Sequence, residues 1–375
     1  MKVVETIVWR RKRLAWLLLC LLLGAVVLAV ACTKPSPAPI KIGAIISLTG
    51  PGAYLTELRD ALLMAAEEIN GDGGINGHPI ELYIEDSKTD PEEAKKAMAR
   101  LEAEHHPVLY ISTLSAISMA LAPQAENMQV PLIGLVTSAQ EFTEGKKWVF
   151  RYYATASGEV APAISILQKL GVKKLGVLYQ NESFGQSVFK LVSEAFEAEG
   201  GRVVGQHFDK QDFNVADKVV ALGAVDAIYV VGYVSFTGKV VQQVRLAGFR
   251  REIIAASGGA APSVRAVSET EGVYLSAPLL YNENYLYAKK LSDKYVEKFH
   301  RPLSHQSAVG YDVLYLLRGL LQDEPVSRVN LKKVLEQGYH FPSAMGDIIV
   351  APGSHEINYP LYPALIKDGA VNFGG

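Results

Sequence analysis

The stretch Ile40-Lys41-Ile42-Gly43-Ala44-Ile45-Ile46-Ser47 has the apolar, β-branched composition of a strand that is buried on both faces. A helical pattern follows over Tyr54–Asn70, where apolar side chains recur at three- and four-residue spacing until a glycine-rich turn at 71–74. Apolar and polar residues then alternate over 80–85, which predicts a second strand. Together these segments predict a strand–helix–strand unit of the kind that builds a parallel sheet.

The same alternation continues through most of the chain and turns mainly helical from about residue 284. Repeated strand–helix units predict the α/β class, with parallel sheets that are covered on both faces. Further strands are predicted at Val108–Ile111, Val130–Val136, Lys174–Tyr179, Arg202–Phe208, Ala227–Gly232, Ile253–Ala256, Asp347–Val350 and Pro363–Ile366. Further helices are predicted at Ser157–Leu170, Phe184–Glu199, Phe236–Ala247, Tyr285–Phe299, His305–Leu321 and Asn330–Tyr339.

The N-terminal segment has the pattern of an export signal. A basic cluster at 10–13 precedes an uncharged apolar run, which ends in the small residues Ala29-Val30-Ala31 and then Cys32. This order resembles a bacterial lipobox, so we expect residues 1–31 to be a lipoprotein signal peptide and Cys32 to be lipidated. The apolar run is also long enough to be an uncleaved signal anchor. Both alternatives place the rest of the chain outside the cytoplasmic membrane, after a proline-rich tether at 32–39.

Composition limits the classes of partner. The 375 residues include 37 basic and 39 acidic ones, and the signal segment holds five of the basic residues but only one of the acidic ones. The remaining chain is therefore mildly acidic, which argues against nucleic acid or an anionic membrane surface as a partner. There are 2 cysteines, Cys20 within the apolar run and Cys32 at its end. The chain after residue 31 can therefore form neither an internal disulfide nor a thiolate metal site.

Loops that follow predicted parallel strands are the places to look for a ligand site. The loop at 112–118 carries four hydroxyl side chains near a predicted helix start, where free backbone N–H groups favour an anion such as a carboxylate. Ser115 could also serve only as the helix N-cap.

Catalytic patterns are missing from the sequence. Leu55 stands where a dinucleotide-binding fingerprint needs its third glycine, and there is neither a phosphate-binding P-loop nor a nucleophile elbow. The adjacent pair His105-His106 lacks the spacing of metal ligands on one helix face. We therefore expect no enzyme activity, no metal and no cofactor.

Several phrases resemble the opening of type I periplasmic solute-binding proteins, and most of all the leucine/isoleucine/valine-binding family of ABC importers. The most specific is Glu68-Ile69-Asn70 followed by Gly73-Gly74-Ile75-Asn76-Gly77. The resemblance implies two Rossmann-like lobes joined by a three-stranded hinge, with a ligand cleft between them. It places the first lobe at 40–155 plus 279–344 and the second at 156–278 plus 345–375.

The resemblance also implies site residues. Ser115, the backbone of Val136, and Ser138 would hold a ligand carboxylate on the first lobe, and Phe184 and Tyr233 would close the site from the second. Ser257 stands where the family often has an acid that pairs with the ligand ammonium. A buried ammonium without such a partner is costly. The ligand is therefore either an amino acid whose ammonium is met by Glu182 or Glu283, or a small carboxylate without an ammonium.

The sequence thus predicts an extracytoplasmic, monomeric solute-binding lipoprotein of an ABC importer. It would capture an amino acid or related small carboxylate between its lobes and present the closed form to a membrane permease. The alternative is a ligand-sensing receptor of the same fold that signals to a partner. An enzyme of Rossmann-like architecture is a third class, and turnover of a bound molecule would identify it.

Overall fold

The computed structural model describes Trp16 and residues 37–212 and 214–374. Apart from Trp16, the predicted signal segment therefore lies outside the described residues. The predicted lipidation site Cys32 and most of the predicted tether lie outside them as well. The chain separates at Ala38, and Pro39–Gly375 form one compact unit. Among the helices that the structure describes, none combines the length and the apolar character needed to cross a membrane.

The first sheet is entirely parallel and consists of β1 (Ile40–Ile46), β2 (Ile80–Asp86), β3 (Leu109–Thr113), β4 (Leu132–Leu135), β5 (Val149–Tyr152) and β13 (Glu356–Ile357). Its strand order is β13-β5-β4-β3-β1-β2. All residues of β3, β4 and β5 are buried, because helices cover both faces of the sheet.

The second sheet consists of β6 (Lys174–Gln180), β7 (Arg202–Phe208), β8 (Ala227–Val231), β9 (Glu252–Ala255), β10 (Tyr274–Ala277), β14 (Tyr362–Lys367) and β15 (Ala370–Phe373). Its strand order is β15-β14-β10-β9-β8-β6-β7, and only the two C-terminal strands run antiparallel to their neighbours. A separate antiparallel hairpin pairs β11 (Tyr339–Ser343) with β12 (Gly346–Val350).

The helices that cover the sheets are α1 (Thr56–Gly71), α2 (Pro91–His105), α3 (Ser115–Met128), α4 (Ala156–Lys169), α5 (Ser183–Ala198), α6 (Ala216–Leu222), α7 (Val234–Leu246), α8 (Pro262–Arg265), α9 (Leu286–Phe299), α10 (His305–Leu320) and α11 (Arg328–Leu335). A 3₁₀ turn, Gly50–Leu55, leads into α1. Helices α1 and α10 meet closely at Gly310, where an added Cβ would stand 2.7 Å from the carbonyl oxygen of Leu58. Only glycine allows this approach, which holds α10 against the first sheet.

The chain passes between the two sheets at three places. It leaves the first sheet after β5, returns to it after β10, and leaves it again after β13. The last crossing differs from the expected lobe boundary at 344/345, because β13 pairs with β5 in the first sheet through Glu356–Arg151 and Ile357–Tyr152. Residues 345–357 therefore do not belong to the second sheet, and the chain crosses to it only after Ile357. The two-lobed α/β architecture itself is confirmed.

Candidate ligand-binding site

A narrow cleft lies between the carboxyl ends of the two sheets, where parallel sheets bind their ligands. Its free volume is about 30 Å³. The first sheet contributes loops after β1, β3 and β4, the second contributes loops after β6, β8 and β9, and further residues come from α4, α7, α10 and the segment after β5. The lining residues are Tyr54, Leu114, Val136, Ser138, Tyr153, Glu159, Phe184, Gly232, Tyr233, Val234, Ser257, Gly258 and Gln306.

The loops after β3 and β4 form the first wall under backbone strain. Leu114 has φ 69° and Val136 has φ 52°, a left-handed conformation that side chains rarely adopt and that is least favourable for a β-branched residue. Both residues line the cleft. Strain of this kind persists where surrounding contacts enforce it, and it is concentrated at functional sites.

Ser115 supports this wall from beneath. Its Oγ accepts hydrogen bonds from the backbone N–H groups of Ser138 and Ala139, both at 3.1 Å. Ser115 is buried and is not among the residues that line the cleft, whereas Ser138 and Val136 are. Because both bonds use the serine oxygen as acceptor, its hydroxyl hydrogen is still able to donate.

A buried arginine fixes the same loop from the other side. Arg151, with a fully buried side chain, donates from Nη1 to the carbonyl oxygen of Thr137 at 2.9 Å and from Nε to Glu356 at 2.7 Å. Burial lowers the pKa of Arg151, and the neighbouring Glu356 carboxylate opposes that shift. The first wall is thus held by an ion pair that itself lies outside the cleft.

The second wall carries Phe184 and Tyr233. Tyr233 is 7% exposed and donates its backbone N–H to Gln180 at 3.0 Å and its hydroxyl to Glu182 at 2.9 Å. Phe184 stands in the first turn of α5, whose N-cap Glu182 accepts the Gly185 N–H at 3.0 Å. The Glu182 carboxylate is therefore already used by the fold, and it does not line the cleft. Glu283 is exposed and does not line it either.

The acid of the cleft is Glu159, which lies in the first half of α4. Its side chain is fully buried, and its carboxylate accepts the backbone N–H of Ser257 at 2.8 Å and the Ser257 hydroxyl as well. Burial raises the pKa of Glu159 to about 7, and the two bonds from Ser257 partly oppose this rise. Ser257 is therefore not a substitute for the expected acid but the residue that orients an acid from another element.

No feature of the sequence identified Glu159 as a site residue. An acidic residue near a helix N-terminus is ordinary, because it interacts favourably with the helix dipole. Its position beside Ser257 depends on packing between residues 98 positions apart. Gln306, at the start of α10, was also missed, because polar residues are common in the first turn after an N-cap such as Ser304.

The electrostatics of the cleft are one-sided. It holds the Glu159 carboxylate and several phenol groups, and none of its described lining residues is basic. A carboxylate in such surroundings is stabilised by a cation that enters from solvent. Among residues 37–212 and 214–374, no group of three or more His, Cys, Asp or Glu side chains could hold a metal ion.

Curated relatives resemble part of the chain. The Leu/Ile/Val-binding protein homolog 7 of Brucella abortus (strain 2308) is 28% identical over 244 residues, which is 61% of this chain and 61% of that protein. The leucine-, isoleucine-, valine-, threonine- and alanine-binding protein of Pseudomonas aeruginosa PAO1 is 25% identical over 254 residues, which is 65% of this chain and 68% of the relative. The matched region thus spans somewhat less than two thirds of the first relative.

Solved structures share the whole fold. The leucine-binding protein LivK of Thermotoga maritima MSB8 superposes with a TM-score of 0.81 at 24% identity, over 90% of this chain and 98% of that one. LivJ of Streptococcus pneumoniae, solved with isoleucine, gives a TM-score of 0.79 at 23% identity, over 89% and 97% of the two chains. A solute-binding protein of Rhodopseudomonas palustris BisB5, solved with 3,4-dihydroxybenzoic acid, gives 0.80 at 19% identity, over 90% and 95%.

A family model described as a periplasmic binding protein matches residues 39–370, which is nearly all of the described chain. The two lobes and the cleft between the carboxyl ends of their sheets agree with this match. The chain therefore belongs to the periplasmic binding proteins, in the type I group that includes the Leu/Ile/Val-binding proteins.

Proposed function

We propose that this protein is the solute-binding component of an ABC importer and that it captures an α-amino acid in the cleft. The observation that carries the proposal is Glu159, a buried carboxylate that faces a cleft whose described lining has no basic side chain. A ligand ammonium would supply the missing positive charge. The relatives in Brucella abortus and Pseudomonas aeruginosa, which are named for binding leucine, isoleucine and valine, support an amino acid as the class of ligand.

Each end of the ligand has a matching wall. The carboxylate would lie on the first wall, against the hydroxyls of Ser115 and Ser138 and the backbone at Val136, near the N-terminus of α3. The ammonium would lie against Glu159, which Ser257 holds in place. Phe184 and Tyr233 would cover the ligand when the lobes close. In this arrangement the protein binds the ligand and releases it unchanged.

The cellular setting forms part of the same proposal. The protein would be exported, held at the membrane through lipid on Cys32, and would act as a monomer that delivers its solute to a membrane permease. The two sheets would mark the two lobes, so that the first lobe takes in residues up to Ile357 before the chain returns to the second. The proposed hinge consists of the three crossings, after β5, β10 and β13.

The test compares amino acids with their deaminated analogues. Full-length protein in detergent is titrated calorimetrically with L-amino acids and with carboxylic acids of the same carbon skeleton that lack the amino group. We expect only the amino acids to bind tightly. Glu159→Gln should weaken them by about 2–3 kcal/mol, the scale of a hydrogen bond to a charged group, which is roughly a 30- to 150-fold rise in Kd.

Asp312→Asn is the matched control, because Asp312 is equally buried but lies outside the cleft. It should leave the affinity for amino acids unchanged. Deaminated acids that bind as tightly as the amino acids would contradict the role of Glu159. Failure of every amino acid to bind would contradict the proposed ligand class.

A further inference from the structure

A second cavity adjoins the cleft and shares part of its wall. We name it the outer pocket, and its lining includes Tyr54, Glu57, Val234, Ser263, Ser304 and Gln306. Tyr54, Val234 and Gln306 line the cleft as well. The two spaces are therefore neighbours, and Tyr54 belongs to the wall of both.

The two spaces differ in size. The free volume of the cleft is about 30 Å³, whereas that of the outer pocket is about 300 Å³. One water needs roughly 10–15 Å³ by this measure, so the cleft as it stands has room for about two waters. The side chain of an amino acid held at Glu159 therefore needs the space beyond Tyr54.

The outer pocket contains two hydrogen-bond acceptors, the Gln306 Oε1 and the Glu57 carboxylate, that lack a donor at short distance in the described part of the chain. Gln306 is 3% exposed, and within the described part of the chain its Oε1 has no hydrogen-bond partner. The Glu57 carboxylate accepts only long bonds, at 3.5 Å from the Ser304 hydroxyl and 3.4 Å from the Ser307 hydroxyl. Arg301 lies near enough to influence Glu57, but its own hydrogen bonds go to Asp60 and to Tyr295.

An apolar side chain in this pocket would leave these acceptors without donors. A buried polar group that loses water and gains no partner is destabilising. A side chain that ends in N–H groups would instead donate to both Glu57 and Gln306. The chemistry of the pocket thus favours donors over a branched aliphatic group.

We propose that the ligand is an α-amino acid whose side chain passes Tyr54 into the outer pocket and ends in N–H donors, which Glu57 and Gln306 accept. Amide, ammonium and guanidinium groups share this chemistry. The inference rests on the proposed function, because it takes the head group to be held at Glu159. It makes Glu57 and Gln306 residues that determine specificity without touching the head group.

The experiment uses lysine and norleucine, which have the same carbon chain and differ in the terminal ammonium. Glutamine provides the amide arm and leucine the branched aliphatic arm. Calorimetry on the full-length protein in detergent should show that lysine, glutamine or both bind at least tenfold more tightly than norleucine and leucine. Which of the two is tighter identifies the donor as a cation or an amide.

Variants locate the preference. Glu57→Gln should weaken the donor-bearing ligand about tenfold and leave norleucine unchanged. Gln306→Leu should weaken the donor-bearing ligand more than it weakens norleucine. Glu159→Gln should weaken all four ligands. If either pocket variant fails to fold, the comparison of lysine and glutamine with norleucine on the unmodified protein decides alone.

The possible failures are separable. If norleucine or leucine binds as tightly as lysine and glutamine, the outer-pocket inference is overturned while the proposed function stands. If no L-amino acid binds, these four included, or if Glu159→Gln has no effect on those that bind, the proposed function is contradicted and the inference falls with it.

Discussion

Glu159 and Asp312 are both fully buried acids, but their surroundings differ. Asp312 accepts the Ala344 N–H at 2.7 Å and lies against the Tyr152 hydroxyl at 3.4 Å, away from the cleft. Glu159 faces the cleft, and its carboxylate accepts from the backbone N–H and the hydroxyl of Ser257. Burial raises the pKa of each carboxyl to about 7. Only Glu159 is placed to exchange its proton for a ligand cation.

The raised pKa of Glu159 gives a pH dependence of definite sign. Burial moves its pKa from 4.5 to about 7, so between those pH values the folded, empty protein keeps a proton that the unfolded chain has lost. The titration of Glu159 should therefore lower the free energy of unfolding of the empty protein by roughly 3 kcal/mol as pH rises through this window. The surrounding phenols of Tyr153, Tyr229 and Tyr359 stay neutral there, because burial raises their pKa values too.

A ligand ammonium favours the ionised carboxylate, so the gain in Tm on adding ligand should grow from pH 5 to pH 8. Thermal unfolding with and without ligand measures this. Glu159→Gln should remove the growth. Asp312→Asn should keep it, although Asp312 titrates in the same window and contributes to the slope of the empty protein. An equal gain at both pH values would contradict the exchange of proton for ligand.

For individual residues, the sequence predicted which loops form the site, but it did not predict the charged residue in the site. The structure brings together Val136, Ser138, Phe184, Tyr233 and Ser257 in the cleft lining, while Ser115 lies beneath it. The ligand contacts of all six remain predictions. A motif after a strand identifies a loop, because parallel strands end at one edge of the sheet. It cannot reveal Glu159, whose role depends on which helix packs against that loop.

Among the elements, most predicted strands and helices agree with the observed ones to within about two residues, whereas several short elements were not predicted. The predicted strand Arg202–Phe208 coincides with β7, and His305–Leu321 differs from α10 by one residue. The strand β13 has 2 residues and was not predicted, since so short a segment has no periodicity. The predicted helix Asn330–Tyr339 is wrong at its end, because α11 ends at Leu335 and Tyr339 begins β11. Gly338 has φ 80°, which is outside the range of a right-handed helix, so the helix could not have continued to Tyr339.

The ion pair between Glu356 and Arg151 joins strand β13 to strand β5. Glu356→Ala should therefore destabilise the protein, because it leaves a buried guanidinium without its counterion. Loss of one partner of a buried pair costs about 3–5 kcal/mol, and we expect about 2–4 kcal/mol because the Glu356 side chain is 29% exposed. Urea denaturation measures the change in the free energy of unfolding.

The comparison variant is Glu297→Ala, which removes an exposed acid on α9 and should change the stability by no more than about 0.5 kcal/mol. The Glu356 substitution should also weaken ligand binding, because Arg151 holds the carbonyl of Thr137 in the first wall. A loss for Glu356→Ala no larger than that of Glu297→Ala would show that β13 does not depend on this pair.

For the molecule as a whole, a few contacts cross the cleft, and we expect them to set the balance between open and closed lobes. Tyr54, from the segment before α1, packs against Val234, Ala261 and Val264 near the second sheet. The Ser187 hydroxyl on α5 donates to Glu141 of the first sheet's loops at 3.2 Å. The sequence predicted two lobes and a cleft. It could not give this balance, which is a small difference between contacts made in two states.

Tyr54→Ala should shift the empty protein towards open lobes. Burial of a large apolar side chain is worth about 1.5–3 kcal/mol, so its loss favours the open state by roughly 10- to 150-fold. The apparent ligand affinity should fall in proportion to the fraction of the protein that remains closed. Small-angle X-ray scattering without ligand should show a larger radius of gyration, which separates lobe opening from any lost ligand contact. Tyr362→Ala, at a tyrosine 38% exposed on β14, should change neither quantity. Unchanged scattering for Tyr54→Ala would mean that other contacts keep the lobes closed.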